Sequence, residues 1–233
     1  IHISQPKLGR RAQKYILECL KNNRLSNGPF NFKFERQFAD IVGSRFASSC
    51  SSGTAALYLA LKVCDLGPGD EVLTPTLTFA ATTSAIIQAG ATPVFIDSSL
   101  DDWNISPQEI KKNIGPRTKA IVVVHLYGIP ARMSEIMKIA KKHKLKVIED
   151  AAEALGAKID QRHLGSIGDI GCFSFYANKI ITTGEGGMCV TNDKRMYEDI
   201  EIVKSHGTAI KRYWHVVTAT NARMTNFQAA IGL

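Results

Sequence analysis

Residues 120–150 read AIVVVHLYGIPARMSEIMKIAKKHKLKVIED, and this stretch decides the fold class. Residues 120–125 form a continuous apolar run, which is typical of a strand buried inside a parallel sheet. Residues 133–143 repeat apolar side chains at helical spacing, and residues 146–149 form a second short strand. The order strand, helix, strand predicts a βαβ unit whose two strands lie parallel in one sheet.

The same alternation of strands and helices continues on both sides of this unit. Further strands are predicted at 45–49, 71–74, 92–96, 171–175 and 188–191, and further helices at 32–42, 55–66, 79–88, 193–205, from 225 onward, and from the capping box that Ser106 opens. The repetition predicts an α/β fold, a three-layer sandwich with helices on both faces of a mostly parallel, mixed sheet. Ligands of such sheets bind at the C-terminal ends of the strands.

The composition is that of an ordinary globular protein and excludes several classes. The 233 residues are 45% hydrophobic and 21% charged, values that exclude a disordered tail, a coiled coil and a collagen-like fibre. The apolar runs are too short to cross a bilayer and no signal peptide is visible, so we expect no membrane partner. The net charge of +8 favours anionic ligands, but it is spread along the chain. Since no helix-turn-helix, zinc or RNP signature accompanies that charge, we expect no nucleic-acid partner.

The cysteines indicate the redox compartment. There are five of them, at positions 19, 50, 64, 172 and 189, and no two have C-x-x-C spacing. An odd number without paired spacing is typical of reduced thiols packed as small apolar side chains. We therefore expect a cytoplasmic protein without a metal site.

Two features at predicted strand ends indicate a ligand. The sequence Ser51-Ser52-Gly53-Thr54 precedes a helix, where free N–H groups, hydroxyls and a glycine together favour a phosphate. Taken alone, these residues are more often a simple N-cap. Asp150 ends the strand at 146–149, where an acid could bind a cationic or N–H-bearing ligand atom or could only cap a neighbouring helix or order a loop.

A lysine and a glycine-rich turn complete the set. Lys179 stands among apolar and aromatic residues, and a lysine held in an apolar site is a candidate Schiff-base nucleophile, although a lysine reaching outward from a strand end is the simpler interpretation. Residues 182–187 read TTGEGG, a tight turn beside that lysine. A phosphate cradle, an acid for a ring nitrogen and an amine for an aldehyde are together what pyridoxal 5'-phosphate (PLP) requires.

The motifs in order resemble the DegT-type PLP-dependent sugar-nucleotide aminotransferases, a family of fold-type I enzymes. The residues that carry the resemblance are Ser52-Gly53-Thr54-Ala55-Ala56-Leu57, Gly67-Pro68-Gly69-Asp70-Glu71-Val72, Gly90-Ala91-Thr92-Pro93-Val94-Phe95, Val124-His125-Leu126-Tyr127-Gly128, Glu149-Asp150-Ala151-Ala152-Glu153, Gly168 to Phe175, Asn178-Lys179 and Thr183 to Met188. The resemblance implies that residues 1–233 form the large PLP-binding domain with an N-terminal arm. It also implies that the family's smaller C-terminal domain is absent from this chain.

The resemblance assigns the central roles in the site. Lys179 would attach PLP covalently and then act as general base and acid. Asp150 would pair with the pyridine nitrogen, and Glu153 would lie near the ring hydroxyl. Phe79 would stack on the ring, although packing in the core is the simpler interpretation of a lone phenylalanine.

The remaining roles concern the phosphate. Gly53, Thr54 and Ser174 would bind it within the same subunit. Asn221 would reach the phosphate of a neighbouring subunit, which implies a homodimer with shared active sites. The aromatic neighbours usual around that asparagine are replaced by Thr220 and Ala222. His125 is given no chemical role and is expected to be structural.

Within the family the motifs most resemble the perosamine-synthase-like 4-aminotransferases. Such enzymes move an amino group, usually from glutamate, to C4 of a nucleotide-linked 4-keto-6-deoxy sugar. Three alternatives remain open: amination at C3 of a dTDP- or UDP-linked sugar, a dehydratase, and a non-catalytic or inactive fragment on the same fold. Lys179 argues against the dehydratase, because members of that kind carry histidine at this position. Arg132 stands where relatives commonly have aspartate, and the sequence leaves its role open.

Overall fold

A computed structural model describes residues 5–209, 211 and 213–233 of the chain. Its helices are α1 (Arg10–Lys21), α2 (Pro29–Val42), α3 (Gly53–Lys62), α4 (Ala80–Gln88), α5 (Pro107–Asn113), α6 (Met133–His143), α7 (Lys194–Val203) and α8 (Asn226–Gly232). Its strands are β1 (Phe46–Cys50), β2 (Glu71–Pro75), β3 (Thr92–Ile96), β4 (Thr118–Val124), β5 (Lys146–Asp150), β6 (Lys158–Ile159), β7 (Arg162–His163), β8 (Ile170–Ser174) and β9 (Gly187–Thr191).

Seven of these strands form one mixed sheet in the order β1-β9-β8-β5-β4-β2-β3. The pairs β2–β3, β2–β4, β4–β5 and β5–β8 are parallel. Strand β9 runs antiparallel to both of its neighbours, β1 and β8. Six strands therefore point the same way, and their C-terminal ends share one edge of the sheet. The predicted mostly parallel, mixed sheet is confirmed.

Helices cover both faces of the sheet, as the alternating pattern predicted. One face packs against α3, α4 and α7 through a cluster that includes Leu59, Ile86 and Ile200. The opposite face packs against α5 and α6 through Ile110 and Ile136, and against α1, α2 and α8 through a further cluster rich in phenylalanine. These side chains exclude water from both sides of the sheet, so the chain has the three layers of an α/β sandwich.

The predicted elements agree with the structure apart from their ends. The helix predicted at 55–66 begins earlier, at Gly53, and ends earlier, at Lys62, ahead of Asp65 in the left-handed region (φ 54°). Ser106 caps α5 by accepting from the Glu109 N–H at 3.3 Å. The capping box predicted there is incomplete, because the Glu109 carboxylate pairs instead with Lys112 at 2.7 Å.

Two elements were not predicted, namely helix α1 and the hairpin formed by β6 and β7. Helix α1 has little of its length buried and contributes Ala12 and Cys19 to the core. The hairpin strands have only two residues each, too few to show an alternating pattern. Within the described part of the chain, no helix combines the length and the apolar character needed to cross a membrane.

Candidate active site

A cavity of about 620 Å³ opens at the C-terminal edge of the parallel strands. The ends of β1, β2, β4, β5 and β8 lead directly into its walls. Seven of the eight residues assigned to the site from the sequence line it: Gly53, Thr54, Phe79, Asp150, Glu153, Ser174 and Lys179. The fold therefore brings together residues that lie as far as 126 positions apart, from Gly53 to Lys179.

One end of the cavity is formed by the start of α3. The Ser52 hydroxyl caps this helix by accepting from the Ala55 N–H at 3.1 Å. The N–H groups of Gly53 and Thr54 have no hydrogen-bond partner within the described residues. Gly53 also lies so close to β8 that a Cβ placed on it would be 2.7 Å from the Cβ of Ser174. Free N–H groups, a helix N-terminus and a close backbone approach suit a phosphate.

We expect Gly53→Ala to lower the affinity for PLP about tenfold, because the added methyl displaces Ser174 and distorts the N–H cradle. An absorbance titration with PLP measures the effect. Gly67→Ala is the matched control, since a Cβ at Gly67 would have no heavy atom within 4 Å. Equal affinities for the two variants and the unchanged chain would contradict the assignment of the cradle.

Asp150 ends β5 at the floor of the cavity and is only 7% exposed. Its Oδ2 accepts from the Thr82 hydroxyl at 2.9 Å, and its Oδ1 accepts from the Ala152 N–H at 3.2 Å. Burial raises the pKa of this carboxyl, and these two hydrogen bonds counteract part of the rise. Within the described residues Asp150 has no salt-bridge partner. A buried carboxyl without a cation is a fitting partner for a positively charged ring N–H.

Lys179 faces the same cavity and pairs with Glu153. Its Nζ lies 3.5 Å from Glu153 Oε1, while Glu153 Oε2 accepts from the Tyr127 N–H at 2.9 Å. The expectation that Lys179 lies in apolar surroundings is wrong, because Tyr176 and Ile180 are turned outward and are 49% and 66% exposed. The loop after β8 turns these side chains to solvent and directs the ammonium toward a carboxylate.

Phe79 and Asn221 differ in their relation to the cavity. Phe79 precedes α4 and lines the opening with 79% of its surface exposed, which excludes its packing in the core. Asn221 lies outside the cavity and pairs by a β-bridge with Ser205. Its Oδ1 accepts from Arg223 Nε at 3.1 Å. The contact of Asn221 with a neighbouring subunit stays a prediction.

His125 lies beneath the cavity, where it joins the ends of β4 and β5. Its main-chain N–H donates to the Asp150 carbonyl at 3.1 Å, and its Nε2 lies 2.9 Å from Glu149 Oε2. The His125 Nδ1 accepts from the Ala131 N–H at 3.2 Å, which places the ring proton on Nε2. The residue is fully buried and belongs to the residues that line the cavity, and its structural role stays a prediction.

The Glu149 carboxylate, below the site, binds the main chain of the loop that precedes β8. Besides His125 it accepts from the main-chain N–H groups of Gly165, Ile167 and Gly168, at 2.6–2.9 Å. Burial alone would raise the pKa of Glu149, but the bonds from His125 and from these N–H groups lower it below its ordinary value. The carboxylate is therefore held ionised in the interior.

Two residues of the site were missed by the sequence reasoning, namely Thr82 and Tyr127. Thr82 is completely buried on α4 and donates to Asp150. A threonine on the apolar face of a helix that follows a strand end was the available signal. Tyr127 lines the cavity with a left-handed backbone (φ 53°, ψ 23°), which no sequence motif indicates.

Arg132, whose role the sequence left open, lies outside the cavity. Its guanidinium contacts Asp101 at 3.0 Å and Asp102 at 3.2 Å. These hydrogen bonds, the one to Asp102 above all, raise the pKa of Arg132 further. The arginine thus ties the loop before α5 to the start of α6.

Three comparisons place the chain among known proteins. The model of the DegT/DnrJ/EryC1/StrS aminotransferase family matches residues 6–233. The GDP-perosamine synthase of Escherichia coli O157:H7 is 47% identical over 235 residues, which cover 100% of this chain and 65% of that protein. An aminotransferase from Psychrobacter cryohalolentis superposes with a TM-score of 0.94 at 39% identity, over 98% of this chain and 61% of that one. The PLP form of Spr1654 from Streptococcus pneumoniae superposes with a TM-score of 0.94 at 30% identity, over 100% of this chain and 65% of that one.

The chain thus spans just under two thirds of the length of these relatives. The superpositions confirm the fold predicted from the alternating strands and helices. A family model that covers nearly every residue and a relative of this identity lead to one conclusion. The chain belongs to the DegT/DnrJ/EryC1/StrS aminotransferase family.

Proposed function

We propose that this chain binds PLP and transfers an amino group from an amino acid, glutamate in the first instance, to a nucleotide-linked keto sugar. The observation that carries the proposal is the cavity in which Lys179, the buried Asp150 carboxyl and the free N–H groups of α3 face one another. Its relatives support the same function, since one is a GDP-perosamine synthase and another was solved in a PLP form.

The residues present fit the cofactor at each of its polar groups. Gly53, Thr54 and Ser174 would hold the phosphate at the start of α3, and Asp150 would hold the protonated ring nitrogen. When bound, PLP supplies an aldehyde and an electron-withdrawing ring that stabilises negative charge at the carbon next to the reacting nitrogen. Phe79 would cover one face of the ring and exclude water from it.

Lys179 has two tasks in this proposal. Its Nζ would hold the cofactor covalently, and the same amine, when free, would act as the general base and acid that moves a proton of the amino donor. Glu153 Oε1, 3.5 Å from the Lys179 Nζ, would keep the amine directed into the cavity, and this carboxylate would also serve the ring hydroxyl. Asp150 would favour a protonated ring nitrogen, because its carboxylate is buried in the floor of the cavity.

We expect Asp150→Asn to lower the rate of amino transfer about 100-fold, because the neutral amide no longer favours a protonated ring. The amide oxygen can still accept from the Ala152 N–H while the amide nitrogen donates to the Thr82 hydroxyl, which can turn to donate to Thr78, so the fold is retained. Steady-state rates with glutamate measure the loss, and Asp40→Asn, an exposed position on α2, is the matched control. An Asp150→Asn protein within twofold of the unchanged rate would refute the role of the acid.

The sugar is proposed to be a GDP-linked 4-keto-6-deoxy hexose aminated at C4. The support is the identity to a GDP-perosamine synthase and the motif from Glu149 to Glu153. The test incubates the protein with isotope-labelled glutamate and with GDP-, dTDP- or UDP-linked keto sugars, and locates the label in the product by NMR. Label at C4 of the GDP sugar supports the proposal. Label at C3 of another sugar, or no transfer by a folded, PLP-loaded protein, would overturn it.

We further propose a homodimer with shared active sites, in which Asn221 contributes to the neighbouring cavity. The position of Asn221 outside its own cavity and its exposure support such a contact.

The five cysteines are free, and four of them are buried. Free thiols are typical of a reducing compartment, which supports a cytoplasmic location.

A further inference from the structure

A buried asparagine outside the cavity holds the turn that carries Tyr127. Asn104, in the loop between β3 and α5, is only 2% exposed. Its Oδ1 accepts from the Leu126 N–H at 3.1 Å, and its Nδ2 donates to the Ile129 carbonyl at 3.2 Å. One side-chain amide therefore clamps the main chain on both sides of the turn.

The clamped turn is strained. Tyr127 has φ 53° and ψ 23°, a left-handed conformation that a bulky residue adopts only when its surroundings impose it. Its 71% exposed side chain cannot supply that constraint. The two hydrogen bonds of Asn104 do so, together with the bonds within the turn from Gly128 N–H to His125 O and from Ile129 N–H to Leu126 O.

The strained conformation has a consequence inside the cavity. It directs the Tyr127 N–H toward Glu153 Oε2 at 2.9 Å, and the other oxygen of that carboxylate faces Lys179 at 3.5 Å. Asn104 is thus linked to the amine of Lys179 by its hydrogen bond to Leu126, by the main chain from Leu126 to Tyr127, and by the two contacts of Glu153. The asparagine itself does not line the cavity.

Asn104 is fixed rigidly enough to act in this way. Its own N–H donates to Asp102 Oδ1 at 3.0 Å, and its carbonyl accepts from the Ser99 N–H at 2.9 Å. The ion pairs of Arg132 join the same two loops, but they lie at the surface, where water and salt weaken them. The buried amide therefore bonds to the main chain on both sides of the turn at a place where water does not weaken the bonds.

We propose that Asn104 is a positioning residue, which holds the Leu126–Gly128 turn so that the Tyr127 N–H orients Glu153 against Lys179. The inference rests on the proposed function, in that Lys179 is taken as the residue that attaches the cofactor. It adds to that function a residue that touches neither cofactor nor substrate.

The test uses two readouts on the chain without PLP. Asn104→Ala is expected to speed hydrogen exchange of the amides at 126–129 about tenfold, because two hydrogen bonds that hold the turn are lost. It is also expected to speed acylation of Lys179 by an amine-reactive reagent about threefold, because Glu153 is no longer held against the amine. Exchange in β4 and β5 stays unchanged. Asn113→Ala, which removes an exposed asparagine on α5, is the matched control and changes neither readout.

A rescue experiment separates positioning from simple packing. Asparagine tolerates the left-handed region far better than tyrosine, so Tyr127→Asn should reduce the effect of Asn104→Ala on exchange and acylation by half or more in a double-mutant cycle. If the alanine variant does not fold, the same two measurements are made on Asn104→Asp. This variant keeps the acceptor for the Leu126 N–H and loses the donor to the Ile129 carbonyl.

The proposal is overturned if either readout equals that of the unchanged chain, or if the Tyr127→Asn background gives no rescue. Because both readouts are taken without cofactor, they do not depend on the proposed function. A chain that never binds PLP would contradict the proposed function alone and would leave this test valid.

Discussion

Replacing Lys179 by alanine is expected to lower amino transfer by at least about 1,000-fold, because the change removes both the attaching amine and the proton carrier. Nothing nearby can substitute for it. Of the described residues that line the cavity, Lys179 is the only lysine, and its partner Glu153 is an acid. The variant should fold normally, since the lysine side chain is partly exposed and makes one ion pair at 3.5 Å.

Steady-state transfer rates and thermal unfolding are the measurements for this variant. Lys142→Ala, on the exposed face of α6, serves as the control and should retain the full rate. Retention of a tenth or more of the rate by the folded Lys179→Ala protein would mean that another group performs the chemistry, and the assignment of the site would be wrong.

Replacing Glu149 by glutamine is expected to lower the free energy of unfolding by about 3–5 kcal/mol, because a buried acceptor of four donors becomes partly a donor itself. The amide nitrogen of glutamine would face either His125 and Gly165 or Ile167 and Gly168. Each choice leaves two buried N–H groups without an acceptor. Denaturant unfolding measures the change, and Glu135→Gln on the exposed start of α6 should lie within about 0.5 kcal/mol of the unchanged chain.

The difference in unfolding free energy between the unchanged chain and Glu149→Gln should depend on pH. The folded chain lowers the pKa of Glu149, so its carboxylate stabilises the fold fully above the ordinary pKa of glutamate, about 4.3. That contribution is lost as the pH falls through the lowered pKa. The stability gap between the unchanged chain and Glu149→Gln should therefore narrow below about pH 4. A gap that is small at neutral pH, or that widens in acid, would contradict the ionised state of Glu149.

Much of the fold could be predicted because its signals are local. The buried strand at 120–125 and the amphipathic helix at 133–143 each show their periodicity within a few residues, and the parallel order follows from their alternation. Helix α1 was missed although Ala12, Tyr15, Ile16 and Cys19 recur at helical spacing, because no capping side chain marks its start and only Ala12 and Cys19 are buried. The two-residue strands of the hairpin are too short to have any period.

The site was predictable only where a residue type is unusual for its place. An acid at a strand end and a lysine beside a glycine-rich turn are such residues, and the structure puts Asp150 and Lys179 in one cavity. Contacts between ordinary residues far apart in the chain gave no signal. The bond from Thr82 to Asp150 joins positions 68 apart, and the clamp of Asn104 depends on a turn whose backbone angles the sequence does not encode in any motif.

Charged residues buried away from the site were also not predictable from the sequence. Lys204 is only 6% exposed and donates to the Ser48 hydroxyl at 2.9 Å and to the Ser49 carbonyl at 3.2 Å, beside Glu35 and Glu201. The sequence shows these residues as ordinary helix and strand positions. Only their packing reveals that the lysine joins α7 to α2 and β1.

The attachment of PLP to Lys179 can be measured by reducing the bond and locating the modified residue. The chain is incubated with PLP, reduced with borohydride and digested, and the modified peptide is located by mass spectrometry. We expect a pyridoxyl group on Lys179 and on no other lysine. A folded chain that carries no adduct, or an adduct spread over surface lysines that persists unchanged in Lys179→Ala, would contradict it.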